Sequence, residues 1–284
     1  MAYGLFLPRR WTRQPQGPVE VDWSMPAAKG IVFFAYGVTP FAWRDAVSGR
    51  LSSFAANQSH QVVRKTGQRF FEPANHFRPS ASGGHIWFPQ PTGLDQLAGP
   101  LTIYAEASLF SDGVAGSAFQ SGETVLGNGI EIRFDDIEQV NNGFKVGGDN
   151  NRDRLPSPGN VLGANSHLYA HRVAATLDGT TCRFMALGRQ VGSTATTWLP
   201  TANADRRTRI CGNYRGGGFG ETDANATCGL IIAWNRPISV AEYQDVFDRQ
   251  WAYVKPRRPV LYSFPSGGAV HELAGDATAG ASAA

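Results

Sequence analysis

The stretch from His171 to Tyr243 constrains the fold more than any other part of the chain. It opens with HRVAATLDGTTCRFMALGRQVGSTATT. This reads as strand, tight Asp178-Gly179 turn, strand, second turn at Gly188, strand: a β-meander with alternating faces. It closes with CGLIIAWNRPISVAEY, a strand ending in Trp234-Asn235-Arg236 and then a capped helix. In Ser239-Val240-Ala241-Glu242 the serine hydroxyl can accept from the third helical N–H while the glutamate reaches back. Tyr243, Val246, Phe247 and Gln250 follow at helical spacing, giving one amphipathic helix of about three turns.

At 284 residues the chain has room for one large all-β domain with arms. Its 42% hydrophobic and 17% charged content describes a globular protein and excludes an intrinsically disordered one. The 33 Gly and 17 Pro, without collagen spacing, suit short strands joined by tight turns. A net charge of +3 gives no ground for nucleic-acid binding. No apolar run approaches the roughly 20 residues needed to cross a bilayer. The opening residues carry no signal-peptide pattern, so synthesis without a leader is expected. Cys182, Cys211 and Cys228 sit in strand-like contexts without metal-type spacing. They read as buried free thiols, with a Cys182–Cys228 or Cys211–Cys228 bridge as the alternative.

Residues 1–28 read as an N-terminal arm broken by Pro8, Pro15, Pro18 and Pro26 and anchored by Trp11 and Trp23. The main domain is placed at 29–250. KGIVFFAY suits a buried strand, and Leu101 to Phe110 alternates cleanly. Leu101, Ile103, Ala105, Ala107 and Leu109 share one face; Thr102, Tyr104, Glu106 and Ser108 share the other. Gly129–Phe134 and Gly143–Gly147 form a strand pair around an Asn141-Asn142-Gly143 turn. Residues 251–284 are a basic, Pro-rich exit and a Gly/Ala-rich tail.

Three pieces together carry a resemblance. They are the meander, the opening RRWTRQPQGPVEVDWSMPAAKGIVFFAYG, and the ending WNRPISVAEYQDVFDRQWAYVKPRR. In this order they resemble the laminin-G-like (LamG) branch of the concanavalin A-like lectin/glucanase superfamily, and the two flanks resemble LamG-type proteins of tailed bacteriophages and prophages. The resemblance implies an antiparallel two-sheet jelly-roll sandwich with one short C-terminal helix and extended terminal arms. It also implies a non-enzymatic structural protein on the surface of a virion, as head decoration, fibre or tail component. Such a protein is made in the host cytoplasm and present in several copies, touching capsid or tail proteins and host-surface glycans, with no membrane or nucleic-acid partner. The chain departs from the family's LYVNG turn at Phe184-Met185-Ala186-Leu187-Gly188, which lacks the asparagine, so a wider turn is expected there.

The superfamily's glucanases place carboxylates on one strand face, and the nearest segment is Glu131-Ile132-Arg133-Phe134-Asp135-Asp136-Ile137-Glu138. A retaining mechanism needs carboxyl groups about 5–5.5 Å apart, whereas positions four apart in a strand have Cα atoms roughly 13 Å apart. Solvated or cross-strand pairing is the expectation there, and a glycan-degrading enzyme is the alternative. For glycan contact the candidates are Asn213, Tyr214, Arg215 and Phe219, an aromatic-bearing segment among glycines that can stack on a sugar and donate hydrogen bonds. No cofactor is required. Asp149, Asn150 and Asp153 read first as turn-forming residues, with calcium as the alternative occupant of their loop. Arg9, Arg10, Arg13, Lys255, Arg257 and Arg258 put positive charge on both terminal segments, suited to docking on an acidic neighbouring subunit. A purely architectural cement without a ligand is a third reading.

Overall fold

The computed structural model describes residues 14–15, 18–39, 42–54, 60–63, 76–79, 86–89, 92–94, 97–109, 116–121, 130–135, 143–147, 154–156, 162, 171–200, 208–210, 213–215, 218–220 and 226–257. These form an all-β sandwich closed by one short C-terminal helix, as expected from the sequence. The larger sheet runs, edge to edge, through Arg189–Ala195, Thr181–Ala186, His171–Leu177, Leu101–Leu109, Ala226–Trp234, Ile31–Thr39 and Ala42–Asp45. His76–Pro79 also pairs with Ala226–Trp234, and His60–Val63 with His76–Pro79. The smaller sheet runs through Arg154–Pro156, Gly143–Gly147, Ile130–Asp135, Gly116–Ser121, Thr208–Ile210, Ile86–Trp87 and Ser53–Phe54. Every pairing in both sheets is antiparallel.

The two sheets face each other across one apolar core. Phe33, Ala35, Ile103, Ala105, Val173, Ala175, Phe184 and Ile231 come from the larger sheet. Ile86, Phe119, Ile130, Ile132 and Ile210 come from the smaller. Phe33 sets its ring edge-on to Phe88 at 5.2 Å. A second core lies on the other side of the larger sheet, where Phe34, Tyr36, Tyr104, Met185, Ile232 and Trp234 meet Val19, Val21, Met25, Tyr243, Val246, Trp251 and Tyr253. The central strands of the larger sheet are therefore buried on both faces. This explains why the strand residues 31–36 are apolar or aromatic throughout and why every residue of His171–Leu177 is buried.

The polar face expected on Leu101–Leu109 is present but enclosed. Thr102 and Tyr104 are fully buried and Glu106 is 3% exposed. The reason is the C-terminal helix, Val240–Arg249, which lies over that face with its Ser239–Glu242 capping box formed as read from the sequence. Burying these polar groups requires partners, and the helix end supplies them. The Tyr104 hydroxyl donates to Gln250 Oε1 at 2.7 Å, and Gln250 Nε2 donates to Glu106 Oε2 at 2.5 Å. Arg172 Nε donates to Glu106 Oε2 at 2.9 Å and its Nη1 to the Phe247 carbonyl. The Tyr243 hydroxyl donates to the Arg172 carbonyl at 2.7 Å, and burial pushes that phenol above its ordinary value.

Residues given to the arms by the sequence take part in this second core. Val19–Val21 pairs with Val254–Pro256 in a two-stranded clasp. Trp23, expected to be an anchor, is instead 55% exposed, and Val19, Val21 and Met25 do the anchoring. The hairpin at Leu187-Gly188 is not widened. Ala186 pairs with Arg189, and Leu187 and Gly188 adopt φ of +53° and +75°, the left-handed pair that a two-residue type I′ turn requires. Cys182 and Cys228 are buried free thiols. Two strands separate theirs in the sheet, about 14 Å at the usual strand spacing, which rules out a bridge. Cys211 and Trp11 lie outside the described residues.

Candidate functional site

Strand register lines up a row of unlike groups on the outward face of the smaller sheet. Glu131 pairs with Gln120, Gln120 with Arg209, Arg209 with Trp87, and Trp87 with Ser53. Alternation fixes which way the described side chains point. Ile130 and Ile132 enter the core, so Glu131 does not; Ile86 and Phe88 enter it, so Trp87 does not. Thr208 is held on the inner side by the Thr92 and Ser121 hydroxyls, both at 3.3 Å, and Ile210 is in the core, so Arg209 also turns outward. Five strands at the usual spacing make this row about 19 Å long.

The environment changes along the row. Glu131 is 1% and Arg209 3% exposed, while Trp87 and Ser53 are half-buried. Of the two expectations for Glu131, solvated or cross-strand pairing, the solvated one is corrected: its side chain is enclosed on a face turned away from the core. Arg209 is the cross-strand neighbour of Trp87 and Glu131 lies three strands from it, so the part-open indole is the member of the row that can stack on a ring. The Trp87 strand is held firmly, with the Phe88 N–H donating to the Thr208 carbonyl at 3.0 Å.

Asn213, Tyr214, Arg215 and Phe219 lie on a small hairpin, Asn213–Arg215 with Gly218–Gly220, where a loop was expected. Register sets Tyr214 opposite Phe219. This hairpin begins three residues beyond Ile210, on the chain that has just carried Arg209 through the row. Asp149, Asn150 and Asp153 lie outside the described residues, as do Arg9, Arg10, Arg13 and Arg258. Lys255 sits in the terminal clasp 3.4 Å from Glu20, and Arg257 follows it, donating its N–H to the Pro18 carbonyl at 3.1 Å. Among the described residues no group of three or more His, Cys, Asp or Glu side chains is placed to hold a metal ion, and no helix is long and apolar enough to cross a membrane.

Trp87, Arg209 and Ser53 were not singled out from sequence. Ile86-Trp87-Phe88 is apolar throughout and shows no alternation, and the row exists only through pairing between strands far apart in the chain.

No family model matches the chain, and no curated protein matches it. Among solved structures the fold is similar to Trypanosoma rangeli sialidase in complex with sialic acid, at 15% identity and a TM-score of 0.54, over 78% of this chain and 33% of that one. It is also similar to that sialidase with a difluoro-KDN ligand, at 16% identity and a TM-score of 0.53, over 82% and 36%. A third is the binding domain of Paraclostridial Mosquitocidal Protein 1, at 8% identity and a TM-score of 0.53, over 78% and 52%. At these identities the likeness is one of fold, and the chain spans about a third of the sialidase's length.

These neighbours correct the expectation of a non-enzymatic protein, because the fold occurs within a sialidase. The sequence argument against catalysis measured carboxylate spacing along one strand. Active sites also draw their groups from different strands, which that spacing does not address.

Proposed function

We propose that the chain is a glycan-recognition domain that binds sugar along the outward row of the smaller sheet. The observation that carries this is Trp87, half-buried and outward, in register with buried Arg209 and three strands from buried Glu131. In this reading a sugar ring stacks on Trp87, Arg209 and Glu131 fix hydroxyl or acidic substituents, and the Tyr214–Phe219 hairpin adds a further contact. The sialic acid named for one fold neighbour and the binding function named for another support it. The resemblance of both flanks to LamG-type proteins of tailed phages supports presentation on a virion surface, where repeated copies add avidity to weak single contacts. Processing of the bound sugar is the second reading, favoured by the buried Glu131 carboxyl and by the sialidases among the fold neighbours.

A glycan array decides the first point. The full chain is expected to bind a defined subset of glycans, and Trp87→Ala to lower that affinity about tenfold or more while leaving the melting temperature nearly unchanged. No glycan bound, or equal binding by Trp87→Ala, overturns the reading. Saccharide release from a bound glycan, abolished in Glu131→Gln, would establish processing.

A further inference from the structure

Three arginines border the turn around Gly49, two of them with their guanidiniums against it. Arg44 Nη1 donates to the Gly49 carbonyl at 3.1 Å. The Arg257 guanidinium lies over Gly49 so closely that a Cβ there would stand 3.0 Å from its Nη1. Arg50, the next residue, donates through Nη1 to the Pro89 carbonyl at 3.3 Å. Arg44 and Arg50 are held by backbone carbonyls, and among the described residues none of the three forms an ion pair. The Arg44 Nε is buried without a hydrogen-bond partner.

The acid of this turn does not serve as their counter-ion. Asp45 is 1% exposed, and its two oxygens accept from the N–H groups of Phe34, Val47 and Ser48 and from the Ser48 hydroxyl. Lys255 has Glu20, so the nearby Glu20 is engaged as well. Like charges collected on one turn repel one another, and the arrangement leaves planar N–H edges suited to bidentate carboxylates.

The surface around them is apolar and open: Val47 is 36% and Leu51 40% exposed. Branched aliphatic side chains give no flat face for a sugar ring, but they gain by burial against another protein. We infer that this patch docks an acidic segment of a partner protein. Its carboxylates bridge Arg44, Arg50 and Arg257, and an apolar side chain of the same segment rests on Val47 and Leu51. The site does not depend on the glycan reading.

A short labelled peptide of alternating Glu and Leu serves as the probe, titrated with the full chain by fluorescence anisotropy at low and high salt. Saturable binding that weakens with salt is expected. Arg50→Glu combined with Arg257→Glu should cost about tenfold or more in affinity, and Leu51→Ser roughly threefold. Arg189→Glu, an exposed charge reversal on a distant hairpin, should change nothing, and melting curves confirm that each variant is folded. Absence of saturable binding, equal loss in Arg189→Glu, no loss in Leu51→Ser, or tighter binding of a sulfated polysaccharide than of the peptide at these residues overturns the inference.

Discussion

The outer faces of the two sheets carry similar residues in different settings. On the larger sheet, Glu106 and Arg172 are cross-strand neighbours, and a helix end closes over them with Gln250, Tyr243 and the Phe247 carbonyl as partners. On the smaller sheet, Glu131 and Arg209 are equally buried, but their row runs on to Trp87 and Ser53, which solvent reaches. Buried charge on an outward sheet face is therefore no sign of a site in itself. The helix-covered pair is explained by the packing it satisfies. Only the second row offers an incoming molecule an aromatic surface.

The sharpest way to break this contrast is to remove one partner beneath the helix. Glu106→Leu leaves Arg172 enclosed without its carboxylate and is expected to cost about 3–5 kcal/mol in urea unfolding, with glycan binding by the remaining folded molecules unchanged. Trp87→Ala should do the reverse, with the large effect on binding and the small one on stability. If both variants lose stability alone, the two faces are alike and the contrast fails.

Smaller effects come from the hairpins that border the helix-covered face. Leu187 holds φ of +53° while 51% exposed, and the neighbouring Gly188 packs on the Phe247 ring. A branched side chain in that conformation costs about 1–2 kcal/mol, so Leu187→Asn should raise stability by about 1 kcal/mol by thermal melting. At the other end of strand Thr181–Ala186, the N–H and hydroxyl of Thr180 and the N–H of Thr181 hold the Asp178 carboxyl down to about 2. A lowered folded value means that its contribution is complete above the ordinary carboxylate range near 4 and is lost as pH falls toward about 2. Asp178→Asn should flatten that part of the acid-unfolding curve by lowering stability at neutral pH while leaving it nearly unchanged near pH 2.

What could be read in advance follows the range of the interactions. The meander, its two turns and the Ser239–Glu242 cap depend on residues within a few positions of each other, and each is found in place. Trp234, which ends strand Ala226–Trp234, is fully buried with its indole N–H donating to the Ala27 carbonyl at 2.7 Å. The Leu101–Leu109 alternation disclosed two faces but not that both are covered, because the covering helix lies more than a hundred residues along the chain. The row at Trp87 was hidden for the same reason. Its members are far apart in sequence, and only inter-strand register makes them neighbours. Leu187 misled in the other direction: the missing asparagine suggested a longer connection, and the chain instead keeps the short one and bears the strain.

The clasp between Val19–Val21 and Val254–Pro256 has a mechanical consequence. Val19 lies opposite Pro256, so the segments before and after the clasp depart from the same end of the strand pair. Tension drawn through those two segments would peel the pair open one rung at a time rather than shear all its rungs together. The clasp is thus the first element to yield under load, acting as a tear strip that gives way while the layered sheets behind it stay shut.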